Sequence, residues 1–333
     1  MIKRFIWIVL AVGLLAVVAL GLDAGRFFTS PLHNKSGQLV TVESGMSFKS
    51  IADRLVEENV IVNPRDARYL SLYARYQGVA NQIKAGEYAV PARQTPAHLL
   101  ELLVSGKTRQ YRITLVEGRR FSEIREQLEA NDALEQKLTG KTEAEVMAAI
   151  GHPDEQPEGR FMPDTYLFPR GMTDIAFLKR AYDSMQTFLD DAWENRSEST
   201  VVESPYEALI LASIVEKETA VPAERGRISG VFTRRLEKGM RLQTDPTVIY
   251  GIENYDGNIR RSDLRRDTPY NTYTRAGLPP TPIAMPSRAA IKAALDPAPG
   301  SALYFVSRGD GSHVFSDSLA DHNRAVDKYQ RGS

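Results

Sequence analysis

The chain has 333 residues, 25% charged and 42% hydrophobic, enough for one large core or two modest ones. Lys plus Arg and Asp plus Glu both number 42, so the formal charge is zero, and no long basic stripe marks a nucleic-acid binder. Cysteine is absent, which excludes disulfides, thiol nucleophiles, thiolate metal sites and a lipid carried on an N-terminal cysteine.

Lys3 and Arg4 precede an uncharged run of 18 residues, 5–22. As a helix this run is about 27 Å long, close to the roughly 30 Å of a bilayer's hydrocarbon core. The flanking charge orients the N-terminus to the cytoplasm and the bulk of the chain outside it. A cleaved signal peptide is the competing reading, since Ala19-Leu20-Gly21 offers a small-x-small site; a buried soluble helix is a third. The expected plan is a cytoplasmic tip and transmembrane helix over 1–24 and a polar tether over 25–38. A small module over 39–95 and a large domain over 96–331 follow.

In the small module, Leu39, Val40 and Val42 predict a short strand, and Gly45 a turn. Phe48, Ile51, Ala52 and Leu55 then recur at helix spacing behind Ser47 as N-cap. A second helix is predicted over 64–76 and a return strand over 83–90, ending at Pro91. Strand, helix, helix, strand is a small α+β module. A helix over 96–105 stopped by Gly106 comes next. The pattern Val40, Val42, Gly45, Phe48, Ile51, Leu55 then returns as Ile113, Leu115, Gly118, Phe121, Ile124, Leu128, each 73 positions on. This is a second strand-Gly-helix unit over 111–130, although chance similarity between such common starts is the plainer reading.

The large domain reads as α+β. Helices are predicted over 177–190, 205–218, 223–238, 287–295 and 318–330, with a hairpin of 302–306 and 313–315 turning at Asp310-Gly311. The helix over 205–218 has the clearest start, with Ser204 as N-cap, Pro205 in the first turn and Glu207 in the capping-box position.

Chemistry concentrates at the end of that helix. Six of the seven residues 209–215 are apolar, and then Glu216, Lys217 and Glu218 close it. Leu211, Ile214, Val215 and Glu218 share one face, so Glu218 extends the apolar stripe and has reason to hold its proton near neutral pH, as a general acid must. The structural alternative is that Glu218 pairs with Arg225 or Arg227 and merely joins two helices. Gln243, Thr244, Asp245 and Thr247 gather hydrogen-bonding groups. The run from Tyr270 to Tyr273 and the Pro-rich loop from Gly277 add rings and amides, which suit a sugar groove. The alternative is that Asp245 caps a helix beside a stiff loop.

Other chemistries lack their residues. The histidines His33, His98, His152, His313 and His322 never pair as His-x-x-x-His, and no Gly-x-Ser-x-Gly elbow, Walker loop or dinucleotide fingerprint occurs. Ser213 with Lys217 has the wrong spacing for a Ser-x-x-Lys pair. His322-Asn323 could line a groove or cap the fold.

An ordered series of segments resembles the YceG-like family. It comprises 159–166 (Gly-Arg-Phe-Met-Pro-Asp-Thr-Tyr), 214–219 (Ile-Val-Glu-Lys-Glu-Thr) and 240–251 (Met-Arg-Leu-Gln-Thr-Asp-Pro-Thr-Val-Ile-Tyr-Gly). It continues through 270–273 (Tyr-Asn-Thr-Tyr), 277–280 (Gly-Leu-Pro-Pro) and the tail from Tyr304 to Asn323, so the likeness covers nearly the whole chain.

The resemblance implies a single-pass inner-membrane protein with a LysM-like module and a periplasmic catalytic domain. Such a protein cuts nascent peptidoglycan strands internally and ends their elongation. It also implies an essential glutamate, placed here at Glu218 with Glu216 as the alternative. The carboxyl protonates the β-1,4 oxygen between MurNAc and GlcNAc, then takes the proton of the MurNAc C6 hydroxyl as that oxygen closes a 1,6-anhydro ring. Gln243, Asp245, Tyr250, Asn271, Tyr273, His322 and Asn323 are expected to hold the sugar. No cofactor, metal or nucleic acid is called for, and peptidoglycan synthases are the expected protein partners. A non-catalytic peptidoglycan-binding scaffold and a hydrolytic muramidase are the competing classes.

Overall fold

The computed structural model describes residues 2–331. Its first element is α1 (Ile2–Thr29), 28 residues long, of which Arg4–Thr29 is apolar and long enough to cross a membrane. The helix runs on past Leu22 rather than stopping there. The described chain divides into two compact units, one of residues 2–112, 133–135 and 167–172 that includes α1, the other of 113–132, 136–166 and 173–331.

The first unit holds β1 (Gln38–Val42), α2 (Phe48–Glu57), α3 (Pro64–Tyr76), β2 (Gly86–Val90) and α4 (Pro96–Ser105). The two strands pair antiparallel, with Val40 opposite Tyr88 and Val42 opposite Gly86. The predicted order of strand, helix, helix, strand is therefore the observed one. Alternation puts Val40 and Val42 inward, where they meet Ile51 and Leu55 of α2, Leu70 of α3 and Tyr88 and Val90 of β2. Leu99, Leu100 and Leu103 of α4 complete this core, so it draws on residues beyond 95. Gly106 ends α4 in the left-handed region, φ 66°, where a side chain is strained.

Residues 25–38 are not a loose tether in the structure. The end of α1 packs onto α3, with Tyr69 donating to Asp23 at 3.0 Å, Arg65 paired with Asp23 at 3.1 Å, and the Phe28 and Tyr73 rings 4.8 Å apart. Leu32 N then donates to Gln94 O at 2.7 Å, and buried Asn34 donates its amide to Val90 O at 3.0 Å.

Strand β3 (Gln110–Thr114), Gly118 at φ 74° and α5 (Phe121–Glu129) follow in the same order as β1, Gly45 at φ 81° and α2. Next come β4 (Leu134–Glu135), α6 (Glu143–Ile150), β5 (Thr165–Pro169), β6 (Met172–Thr173) and α7 (Asp174–Glu194). Then follow α8 (Pro205–Glu218), a 3-10 turn (Pro222–Glu224), α9 (Arg225–Glu237), α10 (Asp245–Tyr250), α11 (Arg261–Arg265) and α12 (Arg288–Leu295). The hairpin β7 (Tyr304–Ser307) and β8 (His313–Ser316) precedes α13 (Leu319–Val326), which ends in a wider turn, Asp327–Arg331. The sheets are all two-stranded pairs, β3 with β5 and β4 with β6 among them, so the α+β class is mostly helix.

The centre of the second unit is α8. Every residue from Ala208 to Val215 is buried, so this helix is apolar all round rather than along one stripe. Helices α7, α9 and α12 pack against it. Helix α9 comes close to the loop before β7: a Cβ on Gly230 would stand 2.4 Å from the carbonyl oxygen of Ala298. Gly230→Ala is expected to force the two backbones apart and to cost about 1–3 kcal/mol, read from the denaturation midpoint.

Candidate active site

Glu218 is the last residue of α8, and Thr219 breaks the helix with extended dihedrals. The carboxyl therefore sits where the helix's unpaired carbonyls gather negative charge. It lies on the wall of an open cleft of about 470 Å³, together with Arg235, Gln243, Asp245, Tyr273, Tyr304, His313 and His322. Thr244 Oγ1 donates a short hydrogen bond to Glu218 Oε1. Burial pushes the Glu218 carboxyl up to about 7; the Thr244 bond opposes this, and the Asp245 charge adds to it. Near neutral pH the group is thus divided between its acid and base forms, although its residue surface is only partly covered.

The rest of the cleft is arranged around this carboxyl. Asp245 opens α10, and Tyr273 Oη donates to its Oδ1 at 2.6 Å. The Tyr273 hydroxyl is held well above its ordinary range by burial, reinforced by that bond to Asp245. Gln243 occupies the left-handed region at φ 50°, unusual for a residue with a side chain. It is fixed by its own N–H to Thr272 O at 3.2 Å and by Arg235 Nη1 at 3.5 Å from its Oε1.

Arg235 is a buried cation that binds backbone rather than an acid. Its Nε donates to Leu303 O at 2.7 Å and its Nη1 to Leu242 O at 2.8 Å, and its guanidinium lies 5.0 Å from the centre of the Tyr304 ring. Among the described residues no carboxylate stands within ion-pair distance of it. Burial lowers its affinity for the proton, while Tyr304, Tyr273 and Glu218 support the charge. His322 stacks on the Tyr304 ring at 5.2 Å with its Nδ1 buried and unpartnered, and burial holds the imidazole below its ordinary range.

One protonatable acid, a second carboxylate held by a tyrosine, and aromatic rings in one open cleft form a place where a polar chain can be gripped and a bond to oxygen protonated. The YceG-like family model matches residues 40–328. The chain belongs to the YceG-like family. Among similar proteins, the endolytic murein transglycosylase of Bacillus subtilis (strain 168) is 30% identical, the match covering 92% of this chain and 89% of that one. The endolytic murein transglycosylase of Streptococcus pneumoniae serotype 2 is 26% identical over 89% of this chain but 59% of its own length. A 2.6 Å crystal structure of a YceG-like protein from Listeria monocytogenes superposes with a TM-score of 0.55 at 27% identity, covering 86% of this chain and 97% of the other.

In this YceG-like chain the two glutamates that close α8 have different surroundings. Glu216 Oε2 accepts from the backbone N of Ser287 at 2.9 Å and from its hydroxyl, which ties α8 to the start of α12. Arg225 Nη2 lies 3.8 Å from Glu216 Oε1. The arginine partner considered for Glu218 thus belongs to Glu216, and Arg227 instead lies over the Phe315 ring at 3.9 Å. Lys217 donates to Gly118 O at 3.1 Å, and Ser213 is buried, bonded to Ile210 O and Ile283 N, so the two form no pair.

Of the residues expected to hold sugar, Gln243, Asp245, Tyr273 and His322 line the cleft with Glu218, and three others do not. Asn271 is buried and spends its amide on the carbonyls of Asp263, Leu264 and Arg266, its oxygen accepting from Tyr273 N. It shapes the loop that presents Tyr273, and its burial keeps it from a ligand. Tyr250 donates to buried Glu158 at 3.0 Å beneath the Arg120 guanidinium. Asn323 is exposed outside the cleft lining. Arg235, Tyr304 and His313 were not picked out from the sequence. Their signal was faint: a lone arginine on a helix of many, and two residues at the ends of a hairpin.

Proposed function

We propose that this chain is an endolytic murein transglycosylase whose acid is Glu218. The observation that carries the reading is a carboxyl pushed up to about 7 by burial, standing on the wall of an open, ring-lined cleft. The relatives' names supply the substrate class. The bond cut is the β-1,4 link between MurNAc and GlcNAc within a strand, and the new end is a 1,6-anhydro sugar. Glu218 in its protonated form gives its proton to the glycosidic oxygen as positive charge builds at C1. The sugar's own C6 oxygen then closes on C1, so the paired carboxylates of an ordinary glycosidase, with their water or covalent intermediate, are not needed. A lone carboxyl can in principle serve both halves, donating the proton and then recovering one from the hydroxyl. Asp245 with Tyr273, and Gln243 with Arg235, hold the sugar and stabilise the developing charge.

The apolar helix supports a single-pass anchor. With Lys3 and Arg4 before it, the reading extends to an inner-membrane protein with a cytoplasmic N-terminus and its catalytic domain in the periplasm. The module over 39–95 is proposed to be LysM-like, supported by its order of strand, helix, helix, strand. Peptidoglycan synthases, which make the strand, are the proposed partners.

The test is the chemistry of the ends. The protein, in detergent, is expected to convert intact glycan strands into shorter ones carrying anhydro ends, resolved by mass spectrometry. Reducing ends in their place would make it a muramidase. No cleavage at all would leave only a scaffold.

A further inference from the structure

The cleft contains a second ionisable pair that the reaction above does not use. His313 opens β8 and lines the cleft with Glu218. Its Nδ1 lies 2.7 Å from Glu224 Oε2, and its backbone N donates to Glu224 Oε1 at 3.0 Å. Glu224 ends the 3-10 turn that follows α8, so the acid and this carboxylate are carried by one short stretch of chain. Both side chains are nearly buried, with 10% of His313 and 12% of Glu224 exposed, and the imidazole stands edge-on to Phe305 at 5.4 Å. Burial acts to raise the Glu224 carboxyl, but the two donors from His313 and the nearby Arg227 outweigh it and hold the group below its ordinary range.

An ionised carboxylate has only lone pairs to offer, so the proton between the two groups sits on Nδ1. In the neutral ring that leaves a lone pair on Nε2. Among the described residues Nε2 has no protein partner. The ring shares the cleft wall with Glu218. A carboxylate that fixes the tautomer of a histidine lining a cleft is the arrangement of a general base.

We propose that His313 is a second catalytic residue, whose Nε2 takes the proton of the attacking C6 hydroxyl while Glu218 gives its proton to the leaving oxygen, with Glu224 as the positioning residue that fixes the imidazole. The inference rests on the lytic reading and assigns the second half of that reaction to a separate group. The O6–H, C1–O4 and Glu218 O–H bonds break; the C1–O6, O4–H and Nε2–H bonds form. The imidazolium then returns its proton to the Glu218 carboxylate across the cleft, and no water is consumed.

The test uses the full-length protein in detergent on intact glycan. His313→Asn keeps a donor at the Nδ1 position for Glu224 and removes Nε2. It is expected to lower kcat about 100-fold with little change in KM, and added imidazole is expected to restore part of the rate. Glu224→Gln, which loosens the tautomer, is expected to lower kcat less. Wild-type kcat in His313→Asn overturns the proposal, and so does a loss that imidazole does not relieve, which would mark a structural role. If the melt of His313→Asn shows it unfolded, His313→Gln is read by the same criteria. Failure here is separable from failure of the lytic reading: that reading falls if Glu218→Gln stays active, whatever the histidine variants do.

Discussion

Glu218→Gln is expected to abolish strand cleavage, with a loss of at least about 1,000-fold in kcat, and to leave the fold intact. Removing the proposed acid forfeits proton donation, worth about 100- to 10,000-fold on its own. Glutamine keeps the shape and can still accept from Thr244 Oγ1, as the carboxyl does now. It also copies the neutral form that burial favours, with the wild-type group pushed up to about 7. The sign of the stability effect follows. Between about 4.5 and about 7 the folded chain holds a proton that the unfolded chain releases, so the wild-type residue costs stability as pH rises through that window. Above it the variant should melt no lower than wild type. The same protonation gives the activity profile: the acid form disappears as pH rises through about 7, and the rate should fall with it. A variant that keeps cutting, or a wild-type rate still rising at pH 8 to about 9, would remove Glu218 from the chemistry. Glu216→Gln gives the contrast. It weakens the tie to Ser287 and the Arg225 contact, so its loss should appear in the melting temperature.

Arg235→Met should be the most destabilising change in the cleft, at roughly 2–4 kcal/mol in chemical denaturation. The guanidinium serves Leu303 O, Leu242 O and Arg241 O, which belong to two separate segments of the wall. Methionine fills much of the volume but strands these carbonyls, each costing about 1–3 kcal/mol unless water reaches it. Relief from burying an unpaired cation offsets part of that cost. Arg235→Lys should rescue little, because a single ammonium cannot fork between carbonyls on two segments. Activity should fall in both variants, since Gln243 and Tyr304 lose the group that fixes them. A variant with unchanged midpoint would mean that solvent already satisfies those carbonyls.

Where the sequence was legible, the signals were local. Ser204 and Pro205 set the start of α8, and period-2 and helical spacing set the small unit. The short helix α11 escapes the sequence because five residues carry too little periodicity. The helix ending α1 and the segment after it looked polar enough for a tether, yet Asp23 and Asn34 are polar because they have partners. The choice between Glu216 and Glu218 shows the limit best. Face geometry favoured Glu218, but a helix buried all round has no single inner face, and what separates the two is who meets them. Ser287 lies 71 residues from Glu216, and Thr244 lies 26 from Glu218. Asn271 and Tyr250 looked like sugar contacts by residue type and proved to be committed inside the protein. His313 gained its interest only from Glu224, 89 positions away.

The unbroken passage of α1 into its contacts with α3 couples the apolar helix and the small unit mechanically. A helix advances about 1.5 Å and turns about 100° per residue. Counting from Leu22 to Phe28 therefore sets both the height of the small unit above the apolar segment and the compass direction it faces. One residue gained or lost near Gly25 would swing the Phe28 ring away from Tyr73, so this stretch behaves as a keyed shaft rather than a leash.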